Sequence, residues 1–222
     1  MSKIHTPISL FDKHAMPFLW RHPRLKNVIK MVFDYTIVIP ALFFLSPLLL
    51  IITVLILLES PGPILYRMRV LGLNGVEFQA YKFRVMFLDA DDRLIQNRQQ
   101  WVSVLRGDRS QRDPRFMRIG WFLRRSGLEE LPRLLNILNR DMSLVGPRAV
   151  TRQDVMKYGR SNIDVMTSVL PGLTGLGQLR GVMLPATEQV DLEMQYINNW
   201  SPWLDMKILV NTFSTAFKGQ PA

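Results

Sequence analysis

The sequence predicts a mainly helical α+β protein carried on one membrane-inserted helix. Three observations lead there: an uncharged apolar run from Ile37 to Leu58, a strand–turn–strand pattern after it, and leucines at helical spacing further on. The run contains no Asp, Glu, Lys, Arg or His. A helix of roughly 20 such residues matches the hydrocarbon thickness of a bilayer. A secretory signal fits poorly, because the run starts far from Met1, is too long, and ends at Leu58-Glu59-Ser60-Pro61 without a small-residue cleavage site. A buried core helix would need partners on every face, since this one is apolar all round.

Basic residues flank the run on both sides: Lys13, Arg21, Arg24, Lys26 and Lys30 before it, Arg67, Arg69, Lys82 and Arg84 after it. The positive-inside tendency would place both flanks in the cytoplasm, which one straight span cannot do. Ser46-Pro47 lies near the middle, and Pro47 removes a backbone donor there, so a bend is expected. The residues alone leave two pictures open, a mild kink in an ordinary span and a helix that enters and leaves on one face.

The remaining elements follow in order. Residues 1–27 form a polar segment whose His14 to Arg21 stretch mixes aromatic and basic residues in the manner of an interfacial segment. Residues 28–59 hold the membrane helix, and residues 60–222 the folded domain. Ser60-Pro61-Gly62-Pro63 is a rigid turn. Ile64 to Met86 is strand-like, with a hairpin signal at Leu71 to Gly75. Asp89 to Arg112 is highly charged and partly helical, and Arg115 to Arg125 alternates basic and apolar residues. Leu131, Leu134, Leu135 and Leu138 predict an amphipathic helix with Pro132 at its start. A further helix is expected within Val155 to Val169, a glycine-punctuated loop at Pro171 to Gly177, and a helical stretch from Asp191 to Phe217 broken near Trp200, Pro202 and Trp203.

Composition narrows the chemistry. The absence of cysteine removes disulfides, thiol nucleophiles and Cys-ligated zinc. His5, His14 and His22 all precede the apolar run, so histidine acid–base catalysis is excluded from the main domain. No Gly-x-x-x-x-Gly-Lys or Gly-x-Gly-x-x-Gly phosphate loop occurs. The net charge of +10 points to anions. Beside a bilayer these are anionic lipid and phosphorylated substrates rather than nucleic acid, for which no recognition motif is present.

Candidate phosphate ligands are Lys82 and Arg84, placed by strand alternation on one face, then Arg124, and Arg148 in a turn. Ser126-Gly127-Leu128-Glu129 reads as a capping box. The adjacent pair Glu129-Glu130 also admits a second role. Two carboxylates among cations can supply a nucleophile for phosphorus and a ligand for Mg²⁺, which favours one or two carboxylates together with substrate phosphates. The surrounding arginines are expected to keep the pair ionised.

Seven segments occur in sequence: Ser60 to Arg67, Tyr81 to Met86, Asp113-Pro114-Arg115, Leu128-Glu129-Glu130-Leu131-Pro132, Asp141 to Arg148, Pro171 to Gly175, and Asn199 to Asp205. Together they resemble the bacterial sugar transferase family, the monotopic phosphoglycosyl transferases of capsule, exopolysaccharide and O-antigen assembly. The resemblance runs from about Lys30 to Leu209. It implies transfer of a sugar 1-phosphate from a UDP-sugar to undecaprenyl phosphate with release of UMP, Mg²⁺ as cofactor, and a covalent phosphosugar intermediate. It also implies a re-entrant membrane helix broken at a Ser-Pro pair, matched by Ser46-Pro47, with a small catalytic domain on the cytoplasmic face of the bacterial inner membrane. The family's Asp nucleophile and Glu metal ligand fall on Glu129 and Glu130, and its phosphate-binding residues on Lys82, Arg84, Arg124 and Arg148. A homodimer or a partner in an assembly complex is compatible with this picture.

The chain departs from the family pattern at several places. Glu129 stands for Asp, Val85 for a small hydroxyl residue, Arg133 for Gln and Ala149 for Pro, and Leu179 to Val182 lacks the usual Gly-Arg ending. Two readings follow. One is a working transferase with Glu129 as nucleophile; the other is a non-catalytic relative that binds nucleotide sugar or polyprenyl phosphate, or partners an assembly complex. Retention of Glu130, Lys82, Arg84, Arg124 and Arg148 favours the first. Asp89-Ala90-Asp91 and Tyr158-Gly159 resemble hexose-type members, which suggests glucose or galactose.

Overall fold

The computed structural model describes residues 23–96, 113–179 and 184–217. Its first element is the long helix α1, Pro23–Glu59. One stripe of α1 faces the rest of the chain: Asp34, Val38, Ile52 and Ile56 are buried, and Leu45 and Leu49 fill the turns between. These positions recur every three, four or seven residues, the spacing of a single helix face. The other faces are bare, with Phe43, Phe44 and Leu58 each about three-quarters exposed. Among the described residues α1 is one helix long and apolar enough to cross a membrane.

The expected break at Ser46-Pro47 does not interrupt the helical structure. The helix runs unbroken through Pro40 and Pro47. Pro47 cannot donate to the Phe43 carbonyl four residues back. Ser46 Oγ donates to that carbonyl instead, at 2.7 Å. Both ends of α1 are held by the same body. Near the start, Lys30 pairs with Asp205 at 2.6 Å. At the end, Glu59 accepts the Arg118 and Ile119 N–H groups at 2.5 and 2.9 Å.

The predicted hairpin forms from β1, Leu65–Leu71, and β2, Glu77–Phe83, paired antiparallel with Tyr66 opposite Lys82. Asn74 and Gly75 turn the chain at positive φ. After the short α2, Ala90–Gln96, the charged stretch continues into 97–112, outside the described residues. Arg115 to Arg125 becomes largely α3, Arg118–Ser126, and a 3-10 turn, Leu128–Glu130, leads into α4, Arg133–Leu138.

The leucine stripe predicts α4 and most of its buried face, since Leu131, Leu134 and Leu138 pack on the core. Leu135 is exposed, while Leu134, Asn136 and Ile137 are buried. Asn136 accepts the Tyr81 N–H at 2.9 Å and donates to the Gln79 carbonyl at 2.8 Å, so its amide continues the edge of β2. A buried amide is tolerated because its polar atoms are satisfied by backbone partners.

Val155 to Val169 is two helices, not one: α5, Asp154–Tyr158, and α6, Arg160–Met166, separated by Gly159 at φ 79°. The expected glycine loop carries structure as well. Ser143–Val145 forms β3, pairing in parallel with β4, Gly172–Thr174, and α7 follows at Leu176–Leu179. The strands approach so closely that a Cβ on Gly172 would sit 2.1 Å from the Gly146 nitrogen. The last stretch is α8, Ala186–Asn198, and α9, Pro202–Phe217, broken where expected. The described residues are thus mainly helical with two small sheets.

Candidate active site

Glu129 and Glu130 lie in the 3-10 turn between α3 and α4. Gly127, at φ 73°, ends α3 in the left-handed conformation that glycine adopts without a Cβ clash. The leucines on either side, Leu128 and Leu131, pack against the cluster of Ile52, Ile56, Met117 and Leu123. With the leucines turned inward, the two carboxylates face β2. The capping box does not form: Ser126 Oγ donates to the Phe122 and Leu123 carbonyls, and no side chain caps the turn. Glu129 is therefore not a helix cap.

Lys82 Nζ lies 2.5 Å from Glu130 Oε1 and 4.0 Å from Glu129 Oε1. Arg133 Nε lies 2.7 Å from Glu130 Oε2. Arg133 was not singled out as a ligand by sequence reasoning, although its i,i+3 spacing from Glu130 is a recognisable ion-pair signal. Burial lowers the pKa of the Arg133 guanidinium, Glu130 and Glu129 oppose that, and Arg148 adds to it by repulsion. Arg148 and Arg124 are themselves exposed. The cluster thus consists of Glu129, Glu130, Lys82, Arg124, Arg133 and Arg148.

Arg84 sits elsewhere. β2 ends at Phe83, and the buried Arg84 guanidinium donates to the Ser60 carbonyl and, at 3.4 Å, to that of Pro61. It braces the turn that follows α1.

The arginines do not dominate the Glu129 carboxyl as expected. Burial pushes its pKa above the ordinary value, outweighing the downward pull of Lys82 and Arg124, and the neighbouring Glu130 adds to the rise. The group is poised as a desolvated carboxylate beside cations, a setting that raises nucleophilicity towards phosphorus. For a divalent metal the donor set is hard oxygen only. Both Glu130 oxygens already face cations, Oε1 the Lys82 ammonium and Oε2 the Arg133 guanidinium, so a metal ion would have to displace one of these contacts. Among the described residues no cluster of three or more potential metal ligands is present, so substrate phosphates would have to complete any Mg²⁺ shell here.

A second carboxyl lies nearby in the fold. Glu193 of α8 is fully buried, and burial pushes its pKa up to about 7 against the pull of Arg148. A folded-state value above the unfolded one means that stability is full in acid and declines as pH rises through about 7. Wild-type protein is therefore expected to melt at a higher temperature at pH 5 than at pH 8, with a loss on the order of 3 kcal/mol. Glu193→Gln should flatten that slope. An unchanged slope would reassign it to another group.

Residues 25–219 match the family model for bacterial sugar transferases. The UDP-glucose:undecaprenyl-phosphate glucose-1-phosphate transferase of Escherichia coli (strain K12) is 32% identical over 203 residues, 88% of this chain and 41% of that protein. The similarly named protein of Caulobacter vibrioides (strain ATCC 19089 / CIP 103742 / CB 15) is 40% identical, covering 75% of this chain and 61% of its own length. The exopolysaccharide production protein ExoY of Rhizobium meliloti (strain 1021) is 35% identical, covering 82% of this chain and 83% of its own length. The chain thus spans about two fifths of the length of the Escherichia coli relative and most of the Rhizobium one.

Proposed function

Because the chain belongs to the bacterial sugar transferase family, we propose that it transfers a hexose 1-phosphate from a UDP-sugar to undecaprenyl phosphate. The reaction would be the first membrane step of exopolysaccharide assembly. The observation that carries this reading is the Glu129-Glu130 turn, desolvated and ringed by Lys82, Arg124, Arg133 and Arg148. The names of relatives, which specify undecaprenyl phosphate and glucose 1-phosphate, support the acceptor and the hexose.

In the proposed mechanism a Glu129 carboxylate oxygen attacks the sugar-bearing phosphorus of the UDP-sugar. The bond from that phosphorus to the bridging oxygen breaks, and UMP leaves with the electron pair. The product is an acyl phosphate on Glu129. An oxygen of undecaprenyl phosphate then attacks the same phosphorus, the acyl–phosphate bond breaks, and the carboxylate is regenerated. Glu130 would hold Mg²⁺ together with substrate phosphates, and the ion would supply charge neutralisation there. Lys82 and Arg133 fix Glu130, while exposed Arg124 and Arg148 are placed to meet phosphate oxygens.

The arrangement of α1 supports a membrane-face enzyme with a re-entrant helix. Lys30 to Glu59 is about 44 Å of helix path, longer than the roughly 30 Å hydrocarbon core, yet both ends contact one folded body. A straight crossing would pull that body through the bilayer. The basic flanks on both sides of the run support placement on the cytoplasmic face of the bacterial inner membrane. Cysteines introduced singly near residues 30 and 59 of this cysteine-free chain are expected to react with an impermeant thiol reagent from the cytoplasmic side only. Labelling of one end from outside would restore an ordinary span.

The test of activity is release of UMP by purified protein given undecaprenyl phosphate, Mg²⁺ and a panel of UDP-sugars. UMP is expected with UDP-glucose or UDP-galactose. No release with any sugar, together with a gain of activity in Glu129→Asp, would establish the non-catalytic alternative.

A further inference from the structure

Away from the carboxylate turn, at the other end of α1, lies a pocket of about 100 Å³. Its walls include Lys26, Asn27 and Lys30 of α1, Arg140 after α4, Ser168 after α6, and Trp200 between α8 and α9. A single water needs only about 10–15 Å³ of such space, so this volume admits a group the size of phosphate but not a nucleotide. Three cations line it. Lys26 and Lys30 approach the Trp200 ring, at 4.9 and 5.9 Å from its centroid, and Lys30 also pairs with buried Asp205. Buried Asp34 also interacts with Lys30, so three cations face two carboxylates and the balance favours an anion.

Arg140 gives the second, independent observation. It adopts φ 66° just past the end of α4. That is the left-handed position after a helix terminus, where glycine is the favoured residue and a residue with a Cβ is strained by about 1 kcal/mol. Here a long cationic side chain occupies it and lines the pocket. Packing alone does not call for an arginine at a site where glycine would fit the backbone better.

We propose that this pocket binds the phosphate group of an anionic membrane lipid. Its position on α1 favours a lipid over a soluble anion. Ile37, where the uncharged run begins, lies about 10 Å along the helix from Lys30. That spacing sets the lysines near the headgroup layer when the apolar run is in hydrocarbon. Elsewhere on α1 and α9, Val28, Val32 and Trp203 are half-exposed or more, and an exposed tryptophan suits the membrane–water interface. The lipid phosphate would tie α1 to the α4 terminus and to the α8–α9 junction, far from Glu129.

The inference rests on α1 lying in the membrane and not on the chemistry of Glu129. Its test uses the full chain purified in non-ionic detergent, with thermal unfolding followed during titration with dihexanoyl phosphatidylglycerol. Dihexanoyl phosphatidylcholine and inorganic phosphate serve as comparison arms. Phosphatidylglycerol is expected to raise the melting temperature, with half-saturation shifted about fivefold upward in Arg140→Gly and in Lys26→Gln. Arg140→Gly should melt no lower than wild type in the absence of lipid, because it relieves the backbone, so lost binding cannot be lost folding. Equal stabilisation by inorganic phosphate or by phosphatidylcholine would overturn the assignment, as would unchanged titration in both variants. Glu129→Gln is expected to bind phosphatidylglycerol as wild type does, which separates failure of this site from failure of the proposed reaction.

Discussion

Glu129→Gln is expected to abolish UMP release, by at least on the order of 10³-fold, without lowering the melting temperature. Glutamine has the same shape but cannot form the acyl phosphate. Fold loss is not the expected cause. The Glu129 carboxyl is disfavoured by burial, so replacing it with a neutral amide removes a desolvation cost. Nor does a capping role stand in the way, because Ser126 bonds back to α3 and the turn has no side-chain cap. Glu129→Asp shortens the reach by one methylene and should retain turnover within about a hundredfold of wild type, the effect of roughly 1 Å of misplacement. If Glu129→Gln turns over like wild type, the nucleophile lies elsewhere.

The same group sets the acid limb of the pH profile. Attack requires the carboxylate, and the raised pKa means that protonation begins at higher pH than for an ordinary glutamate. kcat/KM should therefore fall on acidification at a pH above the usual glutamate value of about 4.3. A limb below that value would show that the cations outweigh burial.

Asp205→Ala is expected to cost about 3–5 kcal/mol, the largest stability loss predicted for this chain. Asp205 is fully buried and joins three elements. Lys30 of α1 meets Oδ2 at 2.6 Å, Trp200 Nε1 donates to Oδ2 at 3.0 Å, and the Tyr196 hydroxyl of α8 donates to Oδ1 at 2.8 Å. Removing the carboxylate takes the partner from the Lys30 ammonium and the Trp200 indole N–H, while the Tyr196 hydroxyl keeps the Val145 carbonyl, and unpaired buried groups cost more than the bonds themselves contribute. In detergent the melting temperature should drop on the order of 10 °C. Asp205→Asn keeps one acceptor oxygen, for Trp200, while its NH2 can donate to the Tyr196 hydroxyl, and it should lose less. A drop under about 2 °C for Asp205→Ala would mean that water replaces the carboxylate as acceptor.

Much of the architecture was legible because it is written in local periodicity and punctuation. The uncharged run dictates an apolar helix whatever surrounds it, Leu71 to Gly75 dictates a hairpin, and Pro202 dictates the break between α8 and α9. Local pattern failed where a distant partner decided the outcome. Leu135 fits the leucine stripe yet lies exposed, because the backbone of β2 claims Asn136 for the buried face. The glycines after Pro171 suggest a loop, but β3, nearly thirty residues earlier, pairs with them and makes a strand.

The candidate site divides the same way. The sequence by itself determined that two adjacent carboxylates follow a basic helix and that cations outnumber anions around them. It also determined that the chain carries one long uncharged apolar run. Only the tertiary structure decided which cations reach the carboxylates: Lys82 and Arg133 do, and Arg84 is drawn to the Ser60-Pro61 turn instead. The reason is range. Helix and turn formation depend on neighbours a few residues apart, whereas an ion pair between a strand and a turn depends on where the intervening chain packs, as does the burial that raises the Glu129 pKa.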